Sequence, residues 1–289
     1  MVDKSNFLSV ASRKMFLVGT MFAYLTVASG CQLAVPKKNE PSTSGVTTKQ
    51  IVPYPYAENF VVDLDLPDGA KPLEMSFIKA GSFIMGCTAD ADYRIGREWL
   101  SHEVNITKPF YIGKYEVTQA QWQAVMKENP AKEHWVGFNY PVYNINWNDT
   151  QEFIRKLNLL GQGKFRLPTE AEWEYACRAG TETRFFFGQA PNCGYDFDYC
   201  KESDAYLWWG GNNGYGDYPE GIKEVGLKKP NPLGLYDIYG NVWELCQDYF
   251  HKDKLKEQKT RVDPLETRNS DYMVIKGGAW SSPYTSVTS

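Results

Sequence analysis

The chain has 289 residues, of which 31 are basic and 35 acidic, for a formal net charge of −4; 43% are apolar. That length allows a sizeable core in one or two domains, and the mildly acidic balance, with no basic-aromatic stripe, excludes a broad face for nucleic acid. Six cysteines and three histidines are present, but no C-x-x-C pair occurs and His102, His134 and His251 lack ligand spacing, which argues against zinc or a three-histidine iron site.

Residues 1–31 read as a targeting segment and are set aside from the fold. Arg13 and Lys14 precede an apolar run, Met15 to Ala28, that is too short to read as a membrane span, and Ala28-Ser-Gly-Cys31 closes it. Small residues before a cysteine, after such a run, resemble the lipobox of bacterial lipoproteins, in which the cysteine becomes the lipid-bearing N-terminus. Ala28 stands where leucine is commoner, and a plain signal peptide with an incidental Cys31 is the alternative. Gln32 at the next position implies, by the same resemblance, the outer membrane. Residues 32–71 are rich in Pro, Ser, Thr and Lys and suit a flexible tether, with Tyr54, Tyr56, Phe60, Val61 and Val62 placed to dock its far end.

A domain is expected over 72–289. Met75 to Ile78 and Phe83 to Met85 flank Lys79-Ala-Gly-Ser82 and predict a hairpin. Val104 with Ile106, Tyr111 with Ile112, and Tyr115 with Val117 predict strands broken at Lys108-Pro109 and Gly113. Thr118 and Gln121 form a capping box opening a helix that carries Trp122, Val125 and Met126 and ends at Asn129-Pro130; Asn148 and Gln151 open a second, with Phe153, Ile154, Leu157 and Leu160 on its buried side and Gly161 as its stop. A third helix lies in residues 165–180. Pro168 fixes its start, Thr169 and Glu172 cap it, Glu170, Glu172 and Glu174 crowd the positive end of its dipole, Arg178 sits near the negative end, and Gly180 supplies the left-handed stop. Trp173, Ala176 and Cys177 share one face. The acidic triplet reads as helix-end electrostatics with pairing to Arg166 and Arg178, ahead of acid–base catalysis. Short strands and capped helices among glycine-rich loops predict an α+β fold rather than a parallel α/β one.

Between Phe185 and Pro232 aromatics and glycines dominate, and two readings stand: rings packed as core, or an aromatic-walled surface that takes a ligand. In an exported chain the cysteines are disulfide candidates; if Cys31 carries lipid, five remain, and Cys193 and Cys200, enclosing a short loop, are expected to bridge. Asp237-Ile-Tyr-Gly-Asn-Val-Trp-Glu244 places two carboxylates across a tight glycine-containing turn, a hard-oxygen environment suited to calcium. The alternative is a turn pinned by Asp237 and Glu244 bonding to backbone amides, with Trp243 in the core.

Arg166-Leu-Pro-Thr-Glu-Ala-Glu-Trp-Glu-Tyr-Ala resembles the signature of the formylglycine-generating enzyme (sulfatase-modifying factor) family. Phe83-Ile-Met-Gly86, Phe110 to Thr118, Pro141-Val to Trp147-Asn-Asp, Gly234 to Glu244 and Lys276-Gly-Gly-Ala-Trp280 agree with it in order, so that the resemblance covers about Leu73 to Pro283. It implies a C-type-lectin-like architecture and a calcium held by side-chain oxygens of Asp237 and Glu244 with the carbonyls of Gly240 and Val242. In related enzymes a cysteine at the position of Cys177 often bridges to a C-terminal strand, whereas here no cysteine follows Cys246. The family's oxidation of a substrate cysteine implies copper bound by two cysteines shortly after Gly-Gly-x-Trp; here Ser-Ser-Pro-Tyr-Thr-Ser-Val-Thr-Ser289 follows, and Ser281, Ser282 and Ser286 have no neighbouring histidine to activate them. No catalytic residue is assigned, copper is expected only if such a pair lies beyond, and a final arginine-bearing strand is expected to have been lost from the reading frame. The leading expectation is a lipid-anchored envelope protein whose domain binds or supports an unidentified protein, peptide or glycan. A formylglycine-generating oxidase and a displayed, lectin-like variable protein are the alternatives.

Overall fold

Three helices begin where a side chain can bond back to the first turn. In the computed structural model, which describes residues 23–24, 58–86, 101–188, 201–213, 220–251, 259–283 and 286–287, helix α1 (Gln119–Met126) starts at Thr118, whose hydroxyl accepts from the Gln121 amide while the Gln121 side chain accepts from the Thr118 amide. Helix α3 (Glu170–Arg178) repeats the arrangement with Thr169 and Glu172. Helix α2 (Trp147–Leu159) is capped by Asn146, not Asn148: Asn146 is extended, its Oδ1 accepts from the Asn148 and Asp149 amides, and Asp149 accepts from the Asn146 amide. Asn148 lies inside the first turn, so its own N–H is one of the orphan donors that Asn146 satisfies.

Gly161 closes α2 in the left-handed region as expected (φ 69°), whereas the left-handed stretch that ends α3 begins one residue earlier than expected. Ala179 takes the left-handed cap of α3 at φ 49°, with Gly180 following at 88°. Phe153, Ile154 and Leu157 are buried as expected, but Leu160 has left the helix as its C-cap and is 47% exposed. Helices α1 and α2 pack through Trp122 stacked on Phe153, centroids 4.8 Å apart.

Strands β3 (Leu73–Ile78) and β4 (Gly81–Met85) adjoin in sequence yet do not form the predicted hairpin. Both edges of β3 are taken, by β2 (Phe60–Val62) and β6 (Phe110–Gly113), in registers Phe60↔Met75 and Phe77↔Tyr111. The chain therefore crosses over, and β4 pairs with β5 (His102–Ile106) in another sheet. There β9 (Arg261–Val262) joins β5 in parallel, and Asp263 just beyond accepts from the Thr107 amide and hydroxyl. Tyr115 and Val117 lie outside any strand. Two smaller pairings complete the set: β1 (Ala23–Tyr24) with β7 (Lys164–Phe165), and β8 (Glu244–Tyr249) with β10 (Met273–Lys276), both antiparallel. A four-residue helix, α4, spans Lys201–Asp204. The class is α+β.

The far end of the tether does dock, since Val62 is buried beside Leu73, Val117 and Phe153, although Val61 faces solvent. Helix α3 sits at the centre of the other core, with Trp173, Ala176 and Cys177 fully enclosed. Its polar side is closed by an ionic knot: Glu174 accepts from Arg178 and from the Gly86 amide (2.8 Å) and pairs with Lys276 on β10 (3.2 Å), while Arg178 also donates to the Gly86 carbonyl (2.8 Å). Arg166 grips Glu172 with two bonds of 2.9 Å. The glutamates that crowd the helix start thus act as caps and braces that tie α3 to β4 and β10.

Candidate functional site

Between Leu235 and β8 the backbone enters the left-handed region three times, at Asp237 (φ 54°), Gly240 (93°) and Asn241 (51°). Asp and Asn tolerate that region better than other residues with a Cβ. At position 240 only glycine fits: an added Cβ would lie 1.6 Å from the Trp208 carbonyl oxygen. The Gly240 amide donates to Gly277 (2.9 Å), so the turn threads between two distant segments.

Three fully buried carboxylates meet around it. Asp237 Oδ2 accepts from the Gly226 amide (2.6 Å), while Oδ1, beside the Trp208 indole, is buried without a donor in hydrogen-bonding geometry. Glu244 Oε2 accepts from the Trp173 indole N–H (2.6 Å). Glu116 supplies the third, with Oε1 accepting from the Val242 amide (3.1 Å) and Oε2 from the Asn241 side chain (2.7 Å). Burial pushes the Asp237 carboxyl up to about 6 against the pull of the Gly226 amide, and Glu244 up to about 8, with Asp237 adding to the effect. Glu116 is driven well above the carboxylate range by burial and then by Asp237 and Glu244. Glu116 carries no assignment from the sequence. Its partners are 125 and 126 residues away, and the only local signal is an acid set in the otherwise apolar Tyr115-Glu116-Val117 stretch.

Among the described residues no three His, Cys, Asp or Glu side chains converge as a metal cluster. The turn offers a different donor set: the orphaned Asp237 Oδ1, the carboxylate of Glu244, and the carbonyls of Gly240 and Val242 on either side of Asn241. That set is all oxygen, which fits calcium in its chemistry, although Lys228 and Lys71 already pull Asp237 down. The side chains of the turn are also pinned by a backbone amide and an indole, and Trp243 is half-buried rather than core.

Next to this turn lies an aromatic face. Buried Gln119 holds the loop at 129–141, donating to the Trp135 and Pro141 carbonyls (2.8 and 3.2 Å) and accepting from the Asn129 side chain and the Gly137 amide (3.0 and 3.2 Å). The loop presents Val136 and Phe138 to solvent, 52% and 50% exposed. Its Trp135 packs on Trp280 (5.6 Å) and Tyr143 (6.2 Å), on ground left open by Gly221, where a Cβ would overlap the indole at 2.0 Å. By contrast, the aromatics from Phe185 onward are mostly core: Phe185, Trp208 and Trp209 are buried, and Phe186 and Phe187 stack on Tyr239 and Tyr206.

Cys177 and Cys246 are free thiols, fully buried, with burial pushing both up. Cys31, Cys193 and Cys200 lie outside the described residues. Ser282 is a turn residue whose Oγ accepts from the Ala279 amide (2.9 Å), Ser281 is exposed, and the Ser286 amide bonds Pro283.

The sulfatase-modifying factor enzyme 1-like domain family matches residues 66–289. The chain is 30% identical over 224 residues to the chaperone protein LppX of Paenibacillus barcinonensis, covering 62% of this chain and 72% of that one. It is 32% identical over 174 residues to the formylglycine-generating enzyme of Thermomonospora curvata, covering 57% of this chain and 52% of the enzyme, so that it spans about half the enzyme's length. Among solved structures, Treponema denticola variable protein 1 superposes with a TM-score of 0.62 at 26% identity over 80% of this chain and 90% of that one. PvdO from Pseudomonas aeruginosa does so with 0.59 at 25% identity, over 75% and 88%. With the ordered blocks, the short elements of the α+β fold and a match over most of its length, the chain belongs to the sulfatase-modifying factor (formylglycine-generating enzyme) family and has its C-type-lectin-like fold.

Proposed function

We propose that this chain is a lipid-anchored protein of the bacterial envelope whose domain works as a binding or structural module, without oxidase chemistry, and that its ligand docks on the face formed by residues 135–140 and Trp280. What supports this is the contrast between that face and the two thiols among the described residues. Val136 and Phe138 stand in solvent on a loop pinned by a buried glutamine, whereas Cys177 and Cys246 are sealed in the core, where neither can present the thiolate that copper chemistry requires. The Treponema denticola neighbour is titled a variable protein, which is in keeping with a displayed binding face.

The full chain, wild type and Val136→Ser/Phe138→Ser, is to be screened against immobilised peptides and glycans. Wild type is expected to bind and the double variant to lose binding. Equal binding by both, or copper-dependent oxidation of a cysteine peptide by the wild type, overturns the reading.

Calcium belongs to the same proposal. Held by Asp237, Glu244 and the carbonyls of Gly240 and Val242, it would add positive charge where burial raises three acids. Because a ligand bound only to the folded state stabilises it by about 2.7 kcal/mol at a hundredfold excess over Kd, calcium is expected to raise the melting temperature of the wild type and leave Glu244→Gln unmoved. Anchoring rests on Ala28-Ser-Gly-Cys31; no helix of the described residues is long and apolar enough to cross a membrane. Cys31→Ser is expected to move the protein from the membrane to the soluble fraction, and an unchanged distribution removes the anchor from the proposal.

A further inference from the structure

We infer that Glu116 and Asn241 are the positioning residues of the aromatic face, setting where Trp280 stands against Trp135. The functional meaning of that face rests on the reading above; the geometry does not. Asn241 is fully buried in a left-handed conformation, and its polar groups join four segments. Its carbonyl accepts from the Trp280 amide (2.8 Å), and its amide donates to the Trp208 carbonyl (3.3 Å). Its Oδ1 accepts from the Lys223 amide (2.9 Å), and its Nδ2 donates both to the Lys223 carbonyl (3.1 Å) and to Glu116 Oε2 (2.7 Å). Lys223 is two residues from Gly221, the ground on which the Trp135 indole rests. Both rings are therefore placed through one asparagine, Trp280 by its backbone and Trp135 by its seat.

Glu116 fixes that asparagine from the opposite side. Both of its partners, the Val242 amide and the Asn241 side-chain amide, are donors, so the position needs an acceptor at each oxygen. Glutamine would offer one acceptor and turn an NH2 group toward a donor. Aspartate at 241 would set oxygen against oxygen. Changing both together restores the Glu116–Asn241 bond with reversed polarity, from the glutamine amide to the aspartate carboxylate, and leaves only the Lys223 carbonyl without its donor. A purely additive packing role would show no such recovery.

The readout is the exciton couplet in circular dichroism from Trp135 and Trp280, whose rings lie 5.6 Å apart at 54°, isolated on the full-length protein as the signal lost in Trp135→Phe and Trp280→Phe. Glu116→Gln and Asn241→Asp are each expected to lose the couplet while still melting cooperatively, and the Glu116→Gln/Asn241→Asp double variant to regain it. Should either single variant fail to fold, Asn241→Gly, which keeps the left-handed backbone and removes only the side chain, is expected to lose the couplet in its place. A couplet of wild-type strength in the folded single variants, no recovery in the double variant, or no couplet removed by Trp280→Phe each overturns the inference. If the couplet responds as expected while Val136→Ser/Phe138→Ser binds ligand like the wild type, the positioning stands and the binding reading fails.

Discussion

Glu174 on α3 and Glu244 at the start of β8 are both fully enclosed and both accept short hydrogen bonds, yet their acidities move in opposite directions. Burial would raise each. At Glu174 the charges of Lys276 and Arg178, with the Gly86 amide, outweigh it and bring the carboxyl down to about 2. At Glu244 a single indole N–H does not, and the group rises to about 8, next to Asp237 at about 6 and a Glu116 higher than either expects in water. Burial sets the penalty, and the nearest cation decides its sign. The first region is a finished ionic lock. The second holds acids for which burial outweighs the available cations: Lys228 and Lys71 pull Asp237 down, but not below its ordinary range.

The strongest way to break this contrast is to remove a cation from the lock. Arg178→Met leaves Glu174 with Lys276 and the Gly86 amide only, and frees the Gly86 and Thr183 carbonyls; a loss of about 3–5 kcal/mol in urea unfolding is expected, whereas Glu244→Gln without calcium at pH 8 is expected to cost nothing. A shift in the denaturation midpoint below that range would show that α3 is held by its apolar face alone. Next comes pH. Glu244 stands above its ordinary 4.5, so its contribution is complete below pH 4.5 and lost as pH rises through about 8; Glu174 stands below, so its contribution is complete above pH 4.5 and lost as pH falls toward about 2. Calcium-free protein is therefore expected to lose stability from pH 4.5 to 8, Asp237 and Glu116 acting in the same direction as Glu244, and Glu244→Gln to make that slope shallower; a parallel slope in the variant would refute the assignment. Trp173→Phe keeps most of the packing and removes the one donor to Glu244, which is expected to cost about 1–3 kcal/mol and to steepen the same slope.

Thr169→Ala has the smallest expected effect, about 1 kcal/mol, and it touches the part of the fold that was most legible beforehand. The caps of α1 and α3 depend on residues three apart, so composition alone reveals them. The start of α2 was misplaced because Asn146 and Asn148 are equally good caps in isolation, and only the conformation at Trp147 chooses between them. The hairpin between β3 and β4 failed for a nonlocal reason: β2, from the end of the tether, had already taken the edge that the turn would have offered. At the site, Asp237 and Glu244 are legible because they flank one turn, and Gly240 and Val242 only because the family resemblance implies their carbonyls. Glu116 could not, since nothing near it in sequence says that its partners lie more than a hundred residues later. The exposed Val136 and Phe138 were equally hidden, because the aromatic density that attracted attention beyond Phe185 is used for packing.

The reach of Glu116 across 125 residues to Asn241 has a consequence for biosynthesis. A ribosome releases α1 and its preceding acid long before it releases the asparagine that will accept it, and Asp263 reaches back to Thr107 over an even longer span of 156 residues. While the chain emerges, Glu116 stays hydrated and charged, and the apolar faces of α1 and α2 can pack on each other but cannot close against β8. Folding of the core around the turn is thus a late event, committed only when the last third of the domain is available, and slow in the manner of folds dominated by distant contacts. A nascent chain stalled before Asn241 would hold three capped helices and an exposed acid, and would remain sensitive to proteolysis between them until the turn arrived.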